Sequence, residues 1–319
     1  MKVGLVGNQN SGKTTLFNYL TGMNAKIGNW PGVTIEKKTG IIKGTEHEIT
    51  DLPGIYSLSP YSIEEDISRK YVFEEKPDVI INIVDATSLE RSLYLTTGLM
   101  ELDCKVLVAL NMADLLEKKG IQIDIKKLEE KLGTKVFKIS ALKETGIDEL
   151  IKEIDKKEDL TRAKIFDNNI EEAISSISNK MSDFHKRFIA VKLLEMDSRF
   201  YDKNKKEFDK VREELEKNYD TDLEEVIATE RYDFIEKTKK DCAIEKQNII
   251  TISDKLDKIF LNKWIAFPIF VIVMFLVYYL SVGVVGASTV DWVANNIDSF
   301  GEWVGTSLET LETSEWLIV

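Results

Sequence analysis

A stretch near the N-terminus, GNQNSGKTT from Gly7 to Thr15, constrains the fold of this chain more than any other feature. It matches the pattern G-x-x-x-x-G-K-[ST], in which a glycine-rich loop between a strand and a helix cradles phosphate groups. The run Lys2 to Val6 before it is apolar enough to form a buried strand, and Thr14 to Leu20 after it has helical spacing. The sequence therefore predicts a loop that binds a nucleoside triphosphate, and this context disfavours the alternative of an ordinary glycine-rich turn.

The residue types of this loop indicate what each would do. Gly7 and Gly12 allow backbone angles that other residues avoid, so successive amides can point at phosphate oxygens beside the positive end of the helix. Lys13 would reach the outer phosphates, and the Thr14 hydroxyl would hold Mg²⁺. The predicted nucleotide-binding residues of the loop are Gly7, Asn8, Asn10, Ser11, Gly12, Lys13, Thr14 and Thr15.

Further apolar runs predict an α/β P-loop fold with a mostly parallel sheet, because strand-like runs alternate with segments of helical spacing. The predicted strands are Lys2 to Val6, Val79 to Val84, Val106 to Leu110 and Lys135 to Ile139. Two alternating runs, Ile35 to Lys43 and Glu46 to Thr50, predict a hairpin around Gly44 that adds an antiparallel edge strand. We expect this domain to end near Arg162.

Two segments are candidates for the switches of a P-loop enzyme. Asp51 begins a D-x-x-G motif, whose carboxylate reaches Mg²⁺ through water and whose glycine, Gly54, senses the terminal phosphate with its amide. Thr34 is the candidate first-switch threonine, which would bring its carbonyl and hydroxyl to Mg²⁺. The predicted nucleotide contacts here are Gly32, Val33, Thr34, Asp51 and Gly54, and the predicted Mg²⁺ ligands are Thr14, Thr34 and Asp51.

The motif Asn111-Met112-Ala113-Asp114 resembles the guanine-reading N-K-x-D element of GTPases. The Asp114 carboxylate can accept two parallel hydrogen bonds from the ring NH and the exocyclic amine of guanine, which adenine does not offer. Met112 stands where the usual lysine stacks on the nucleotide. Ser140-Ala141-Leu142 matches the S-A-[KL] loop, whose amide would meet the guanine carbonyl. The predicted nucleotide is therefore GTP.

Ile55 follows the glycine of the D-x-x-G motif. Ras-like enzymes carry there the glutamine that orients the attacking water. We therefore expect slow intrinsic GTP hydrolysis.

The charge and the cysteine content of the chain argue against some classes of binding partner and metal site. The net charge of -12 and the pI near 5.0 argue against a nucleic-acid-binding protein. Cys104 and Cys242 lack the spacing of a zinc site or a disulfide framework, which suits a cytosolic domain. No ligand set for iron is evident, and His47, in a predicted edge strand, and His185, in a predicted helix, are expected at the surface.

The second half of the chain predicts a helical region and a membrane span. From Ile170 to Lys258 glycine and proline are absent and apolar residues recur at helical spacing. No charge occurs from Trp264 to Val290, long enough to cross a bilayer core of about 30 Å. Lysines precede the span (Lys255, Lys258, Lys263) and acids follow it (Asp291, Asp298, Glu302), so the N-terminal domain is predicted to be cytoplasmic.

The predicted organisation has four parts, and the N-terminal apolar run is too short for a signal peptide. The parts are a GTP-binding domain over residues 1–165, a small all-α spacer over 166–262, a transmembrane helix over 263–290 and a short extracytoplasmic segment over 291–319. In the last part, tryptophans such as Trp316 suit the far interface of the membrane.

Taken together, the motifs resemble the bacterial ferrous iron transport protein B family over nearly the whole chain. The matching segments are GNQNSGKTTLFN, GNWPGVTIEKK, DLPGIYSLSPYSIEE, NMAD, SAL, RFIAVKLLE, ATERYDFIE and LNKWIAFPIF. The resemblance implies a G domain, a spacer described as a guanine-nucleotide dissociation inhibitor domain, and a membrane domain that admits ferrous iron to the cytoplasm. It implies the bacterial inner membrane as the location, with the G domain in the cytoplasm.

The resemblance also implies site residues and partners. Asn10 would help bind K⁺ beside the phosphates, supplying charge that other GTPases take from an arginine finger; the alternative is that Asn10 merely turns the loop. The candidate catalytic residues are Lys13, Asn10 and Thr34. Glu64 and Glu65 match the second-switch acidic pair of the family, although the sequence alone favours solvated helix charges. Expected cofactors are GTP or GDP, Mg²⁺ and K⁺, and expected partners are ferrous iron, the lipid bilayer, small accessory proteins and further copies of the chain, without nucleic acid.

The length departs from the family, whose members carry several spans. One helix cannot build an ion pathway, because polar groups in a membrane need shielding by neighbouring helices. We expect either a truncated product or further spans supplied by other polypeptides. Two alternatives stay open: a membrane-tethered GTPase without transport role, and a ribosome-associated regulatory GTPase, which usually appends a basic RNA-binding domain rather than an acidic helical one.

Overall fold

The protein is described here by a computed structural model. It describes residues 1–22, 25–59, 62–118, 120–156, 163–219, 221–245, 260 and 262–310. The chain divides into two compact units, Met1–Ile249 and Ile250–Val319. The expected end of the first domain near Arg162, the lysines Lys255 and Lys258, and Trp316 lie outside the described residues.

A seven-stranded sheet organises the first unit, in the order β2-β3-β4-β1-β5-β6-β8. Its strands are β1 (Lys2–Gly7), β2 (Lys26–Asn29), β3 (Glu36–Ile41), β4 (Glu48–Asp51), β5 (Val79–Asp85), β6 (Lys105–Asn111) and β8 (Val136–Lys138). The pairs from β4 through β1, β5 and β6 to β8 are parallel, whereas β2–β3 and β3–β4 are antiparallel. The predicted α/β fold with a mostly parallel sheet is therefore confirmed.

The predicted hairpin forms from β3 and β4, but the edge strand is β2, which was not predicted. Its four residues, Lys-Ile-Gly-Asn, are all exposed. They bury no side chain, so they lack the alternation of apolar and polar residues by which a half-buried strand is recognised.

Helices cover both faces of this sheet. They are α1 (Lys13–Thr21), α2 (Ile63–Lys70), α3 (Leu89–Leu99), α4 (Ala113–Lys118), α5 (Ile125–Leu132) and α6 (Ile147–Ile154). Helix α1 contributes Leu16, Phe17 and Leu20 to a buried cluster that contains Val3 and Leu5 of β1. Burial of these side chains fixes the start of α1 against the central strand, since a fully buried Leu or Phe contributes about 1.5–3 kcal/mol.

Four helices follow and form the predicted all-α region. They are α7 (Asn168–Asn179), α8 (Lys186–Leu194), α9 (Ser198–Glu216) and α10 (Leu223–Cys242). Their apolar faces meet in one cluster of buried residues that includes Ile170, Ile174, Val191 and Ile227. A two-stranded sheet of β7 (Ile121–Ile123) and β9 (Ala243–Glu245) also joins the end of α10 to the first half of the chain.

The second unit contains the predicted span. Helix α11 (Lys263–Tyr278) continues through a π-helical segment (Tyr279–Gly286) into α12 (Ala287–Thr310). Among the described residues, one helical stretch, Trp264–Ser307, is long and apolar enough to cross a membrane. The candidate apolar helix of the predicted fold class is thus present, and the bounds of the four parts stay predictions.

Both histidines were predicted at the surface, and both predictions are wrong. His47 is 8% exposed and its Nε2 lies 3.0 Å from Asp155 Oδ1. His185 is fully buried, where its Nδ1 accepts a hydrogen bond from the Asp103 amide at 2.7 Å. Each imidazole packs between elements distant in sequence, which is why local pattern gave no sign of burial.

A buried ion pair connects α10 to the end of α3. Arg231 Nη2 lies 2.9 Å from Glu101 Oε1, and the exposed fractions of the two residues are 4% and 0%. Burial raises the pKa of the Glu101 carboxyl, while the Arg231 charge opposes that rise. The pair therefore keeps a carboxylate in a place that would otherwise favour its protonated form.

Replacing Arg231 with Met should destabilise the protein by about 3 kcal/mol near neutral pH, because the Glu101 carboxylate is left buried without its partner. A carboxyl whose pKa is raised in the folded state favours folding when protonated, so the penalty should shrink as the pH falls from about 7.5 to about 5.5. Urea unfolding of the full chain in detergent measures this. Lys240→Met, at an exposed pair with Glu236, is the control and should change little; an equal penalty at both pH values would contradict the assignment.

Candidate nucleotide-binding site

The glycine-rich loop lies between the end of β1 at Gly7 and the start of α1 at Lys13. Two residues of the loop have positive φ angles, Asn10 at 63° and Gly12 at 95°. A Cβ atom on Gly12 would lie 2.3 Å from Asn111 Nδ2, so another residue would be excluded by space as well as by backbone angle. The loop therefore has the tight turn that a phosphate cradle needs.

Asn111, at the end of β6, holds this loop against the loop after β8. Its Nδ2 donates to the Ser11 carbonyl at 2.8 Å, and its Oδ1 accepts from the Ala141 amide at 3.0 Å. Asn111 is 3% exposed. The side-chain amide of Asn111 therefore links the glycine-rich loop, which is predicted to contact phosphate, to the loop after β8, which is predicted to contact the base.

Lys13 and Asp51 form an ion pair at the same edge of the sheet. Lys13 Nζ lies 2.8 Å from Asp51 Oδ1, and the two side chains are 11% and 8% exposed. Thr14 is exposed in the first turn of α1. A threonine hydroxyl and a carboxylate are the hard oxygen ligands that Mg²⁺ takes, so these residues fit a magnesium ion.

The predicted second switch segment runs from Asp51 into α2, and its first residues lie along the glycine-rich loop. The Ile55 amide donates to the Gly7 carbonyl at 3.2 Å. A Cβ on Gly54 would come within 2.8 Å of Gln9 Cγ, so the two residues are in contact. The Ile55 side chain is 1% exposed and belongs to the buried cluster with Val6. It therefore points into the core, away from the loop.

The loop that carries Thr34 is anchored by a buried tryptophan. The Trp30 amide donates to the Ile35 carbonyl at 2.9 Å, and the Trp30 ring packs edge-on against Tyr71 with centroids 6.0 Å apart. Gly32 and Thr34 are exposed between these anchors. The loop is thus fixed at Trp30, and it leaves Thr34 exposed to solvent.

The predicted base-reading residues lie after β6 and β8. Asp114, in the first turn of α4, has its Oδ2 2.5 Å from Lys143 Nζ. The hydrogen bond from Lys143 lowers the pKa of the Asp114 carboxyl. Asp114 is therefore ionised at neutral pH, as acceptance of two hydrogen bonds requires. Met112 has a φ of 63°, and Leu142 is 86% exposed.

Two functional candidates were missed or misjudged from sequence. Lys143 was missed, although its place directly after Ser140-Ala141-Leu142 was a signal. Glu65 was expected to be a solvated charge, which is wrong: it is 8% exposed. Its carboxylate accepts from the Ser57 and Ser62 amides at 3.3 Å each, and its amide donates to Ser62 Oγ in a capping box at the start of α2.

The described residues contain no group of three or more His, Cys, Asp or Glu side chains that could hold a metal ion. The predicted magnesium ligands, Thr14, Thr34 and Asp51, are two threonines and a single carboxylate. Such a set would leave the remaining positions around Mg²⁺ to phosphate and water.

Two protein-family models match the chain. The model described as ferrous iron transport protein B covers residues 1–154, and that of the FeoB cytosolic helical domain covers residues 166–244. The chain belongs to the ferrous iron transport protein B (FeoB) family. This confirms the family that the motifs indicated.

Curated FeoB relatives match the chain along all of its length. The Fe(2+) transporter FeoB of Escherichia coli (strain K12) is 35% identical over 341 residues, and that of Salmonella typhimurium (strain LT2) is 34% identical over 350 residues. In each case the alignment covers 100% of this chain and 43% of the relative. The chain therefore spans less than half the length of the FeoB transporters that it matches.

Solved FeoB structures share the fold of the first unit. A GDP-bound mutant of the S. thermophilus FeoB G domain has a TM-score of 0.71 and 42% identity, covering 76% of this chain and 100% of its own. The N-terminal part of S. thermophilus FeoB bound to GDP, AlF₄⁻ and K⁺ has a TM-score of 0.67 and 43% identity, covering 75% and 98%. The P-loop GTPase fold class is confirmed, while the predicted site residues stay predictions.

Proposed function

We propose that this chain binds and hydrolyses GTP as the N-terminal part of a ferrous iron transporter. The observation that carries the proposal is the meeting of Lys13, Asp51 and Gly54 with the Asn111 and Asp114 motif at one edge of the sheet. Parallel strands place the loops at their carboxyl ends together, and that is where open α/β sheets bind ligands.

The nucleotide would lie between the glycine-rich loop and the Asp114 carboxylate. Its phosphates would take the amides of the loop and the ammonium group of Lys13, which exchanges its carboxylate partner Asp51 for phosphate oxygens. Thr14, Thr34 and Asp51 would hold Mg²⁺, whose charge offsets the charge that develops on the phosphates. Relatives bound to GDP support this assignment.

Intrinsic hydrolysis is proposed to be slow. The residue after Gly54 is Ile55, and its side chain is buried, so it cannot orient the attacking water. We assign K⁺ to Asn10, whose side chain is exposed on the loop. The S. thermophilus relative that binds GDP, AlF₄⁻ and K⁺ supports this assignment, because a cation there would stabilise charge between the phosphates.

The apolar helix from Trp264 is proposed to cross the cytoplasmic membrane, with the nucleotide site in the cytoplasm. The transported substrate would be ferrous iron, as in the relatives named Fe(2+) transporter FeoB. Nucleotide binding would shift the populations of two conformations of the switch segments that contain Thr34 and Asp51. Further proposed partners are small accessory proteins and other copies of this chain.

Replacing Asp114 with Asn should shift the base preference from guanine towards xanthine, because the amide presents a donor where guanine also presents donors, while xanthine offers a carbonyl. Competition of GTP and XTP for a fluorescent nucleotide on the full chain in detergent measures this. Asp148→Asn, at an exposed position in the first turn of α6, is a matched control. Unchanged GTP affinity in Asp114→Asn would contradict the base-reading role.

Replacing Asn10 with Ala should remove stimulation of GTP hydrolysis by K⁺. We expect the unmodified chain to hydrolyse GTP at least about tenfold faster in K⁺ than in Na⁺, since a well-placed charge at the phosphates has effects of this size or larger. The variant should show the same low rate in both salts with its GDP affinity retained. Equal rates of the unmodified chain in both salts would contradict the K⁺ assignment.

The transport proposal is tested in iron-starved cells that lack a ferrous importer. The chain joined to the remaining membrane portion of a full-length relative should restore growth, and the same fusion with Lys13→Ala should not, because it loses the phosphate contact. Equal rescue by the Lys13→Ala fusion would contradict nucleotide control of uptake, and rescue by the chain alone would contradict the need for further spans.

A further inference from the structure

The loop that follows β8, from Ser140 to Thr145, is closed on itself by backbone hydrogen bonds. The Ser140 amide donates to the Thr145 carbonyl at 3.0 Å, and the Thr145 amide donates to the Ser140 carbonyl at 3.2 Å. Within the loop, the Lys143 amide donates to Ser140 Oγ at 3.3 Å. The Ala141 amide donates to Asn111 Oδ1 at 3.0 Å. Lys143 therefore extends from a backbone that is tied at both ends and also to β6.

The Lys143 side chain crosses from this loop to the first turn of α4. Its Nζ atom lies 2.5 Å from Asp114 Oδ2, and the two side chains are 56% and 27% exposed. This hydrogen bond is the main cause that lowers the pKa of the Asp114 carboxyl, ahead of the charge of Lys118 on the same helix. The contact joins residues 29 positions apart in the chain, and it forms because β6 and β8 are neighbours in the sheet.

The guanine-reading element of this chain lacks a lysine of its own. The usual N-K-x-D element carries one at its second position, where this chain has Met112. Met112 has a φ of 63°, and its carbonyl accepts from the Leu115 amide at 3.0 Å, so α4 begins directly after it. This turn places Asp114 within reach of the loop after β8. Lys143 thus brings to the element a positive charge that Met112 cannot supply.

We propose that Lys143 is a positioning residue for base recognition: its ammonium group holds the Asp114 carboxylate in the orientation in which both oxygens face guanine, and it keeps this contact when the base is bound. The inference rests on the proposed base-reading role of Asp114 and adds a second residue to it. Lys143 acts through the carboxylate and makes no contact with the nucleotide.

The Asp114 carboxylate has enough acceptor sites for both partners. Its two oxygens offer about four lone-pair positions. Guanine needs two of them, for the ring NH and the exocyclic amine, and the contact of Lys143 with Oδ2 takes a third. The terminal torsion of an aspartate side chain is otherwise broad. A fixed partner on one oxygen therefore reduces the conformational entropy that is lost when the base binds.

Replacing Lys143 with Met should weaken GDP binding about threefold to fivefold, which is the upper range of what an exposed ion pair supplies. Methionine keeps most of the length of the side chain but removes the charge and the donor. Isothermal titration calorimetry with GDP and Mg²⁺ on the full chain in detergent, at fixed ionic strength, measures this. Lys138→Met is the matched control, because Lys138 of β8 pairs with Glu117 of α4 at similar exposure, and it should leave the affinity unchanged.

A double-mutant cycle separates this role from a general effect on the loop. In the Asp114→Ala background, Lys143→Met should weaken GDP binding no further, because the carboxylate through which Lys143 acts is gone. A lysine that only stabilised the loop, or that contacted the nucleotide directly, would lower the affinity by the same factor in both backgrounds. Displacement of a fluorescent GDP analogue by GDP measures all four proteins.

Inosine diphosphate gives a second comparison that does not require the Asp114→Ala variant. Its base has no exocyclic amine, so it makes one hydrogen bond to the Asp114 carboxylate where guanine makes two. Lys143→Met should therefore weaken the binding of inosine diphosphate less than that of GDP. The preference of the variant for GDP over inosine diphosphate should be smaller than that of the unmodified chain.

The outcomes separate this inference from the proposed function. Absence of guanine-nucleotide binding by the unmodified chain, or full GDP affinity in Asp114→Ala, would overturn the proposed base reading and this inference together. GDP binding that depends on Asp114 but is unchanged or tighter in Lys143→Met would overturn the role of Lys143 alone, since tighter binding would make Lys143 a competitor of the base. An equal loss in both backgrounds of the cycle, or for both nucleotides, would also overturn it.

Discussion

The parallel pairing of β1 with β4 and β5 is the constraint on which the rest of this structure depends. It aligns Leu5 with Asp51 and Gly7 with Ile83, so the glycine-rich loop and the D-x-x-G segment emerge side by side. The same parallel order continues through β6 and β8 and brings the base-reading loops to that edge. The candidate site is therefore a consequence of strand direction before any side chain is considered.

Asn111 connects two of the loops that this alignment brings together. Its buried amide joins the Ser11 carbonyl to the Ala141 amide, so the phosphate loop and the base loop cannot move apart without breaking buried hydrogen bonds. Removing one partner of a buried hydrogen bond costs about 1–3 kcal/mol. The Asn111 side chain also packs tightly against Gly12, since a Cβ atom on Gly12 would overlap it.

Charged side chains on α8 and α9 contact the predicted second switch segment, which runs from Asp51 into α2. Lys192 Nζ donates to Ser59 Oγ at 2.7 Å, and Arg199 Nη1 lies 2.8 Å from Asp66 Oδ1. Lys192 is also paired with Glu195, which lies near the buried Arg231. A rearrangement between Gly54 and α2 would therefore disturb contacts on α8 and α9, which supplies a physical route from the candidate nucleotide site to the helices.

Much of the fold and the candidate site could be predicted from sequence. The spacing of Gly7, Gly12 and Lys13 and the positions of Asp51 and Asp114 at strand ends are local patterns. They predicted the fold class, which is confirmed, and they predicted the elements of the candidate site. The helical region and the apolar segment after Trp264 were evident from composition for the same reason.

Other features depend on residues that meet only in the folded chain. The exposed strand β2 has no buried side chain to give it a pattern, and β7, with three half-buried residues, is too short for its alternation to predict a strand. The burial of His47, His185 and Glu65 depends on elements far apart in sequence. The contact of Gln9 with Gly54 joins two loops through a β-sheet register.

The sequence by itself determined that this chain has a phosphate-binding loop, guanine-reading motifs and an apolar helix, because each is encoded by neighbouring residues. Only the tertiary structure decided which side chains lie where the glycine-rich loop meets the D-x-x-G segment. It turned Ile55 into the core and laid Gln9 over Gly54. Those positions follow from packing and strand register, which no single segment of the chain contains.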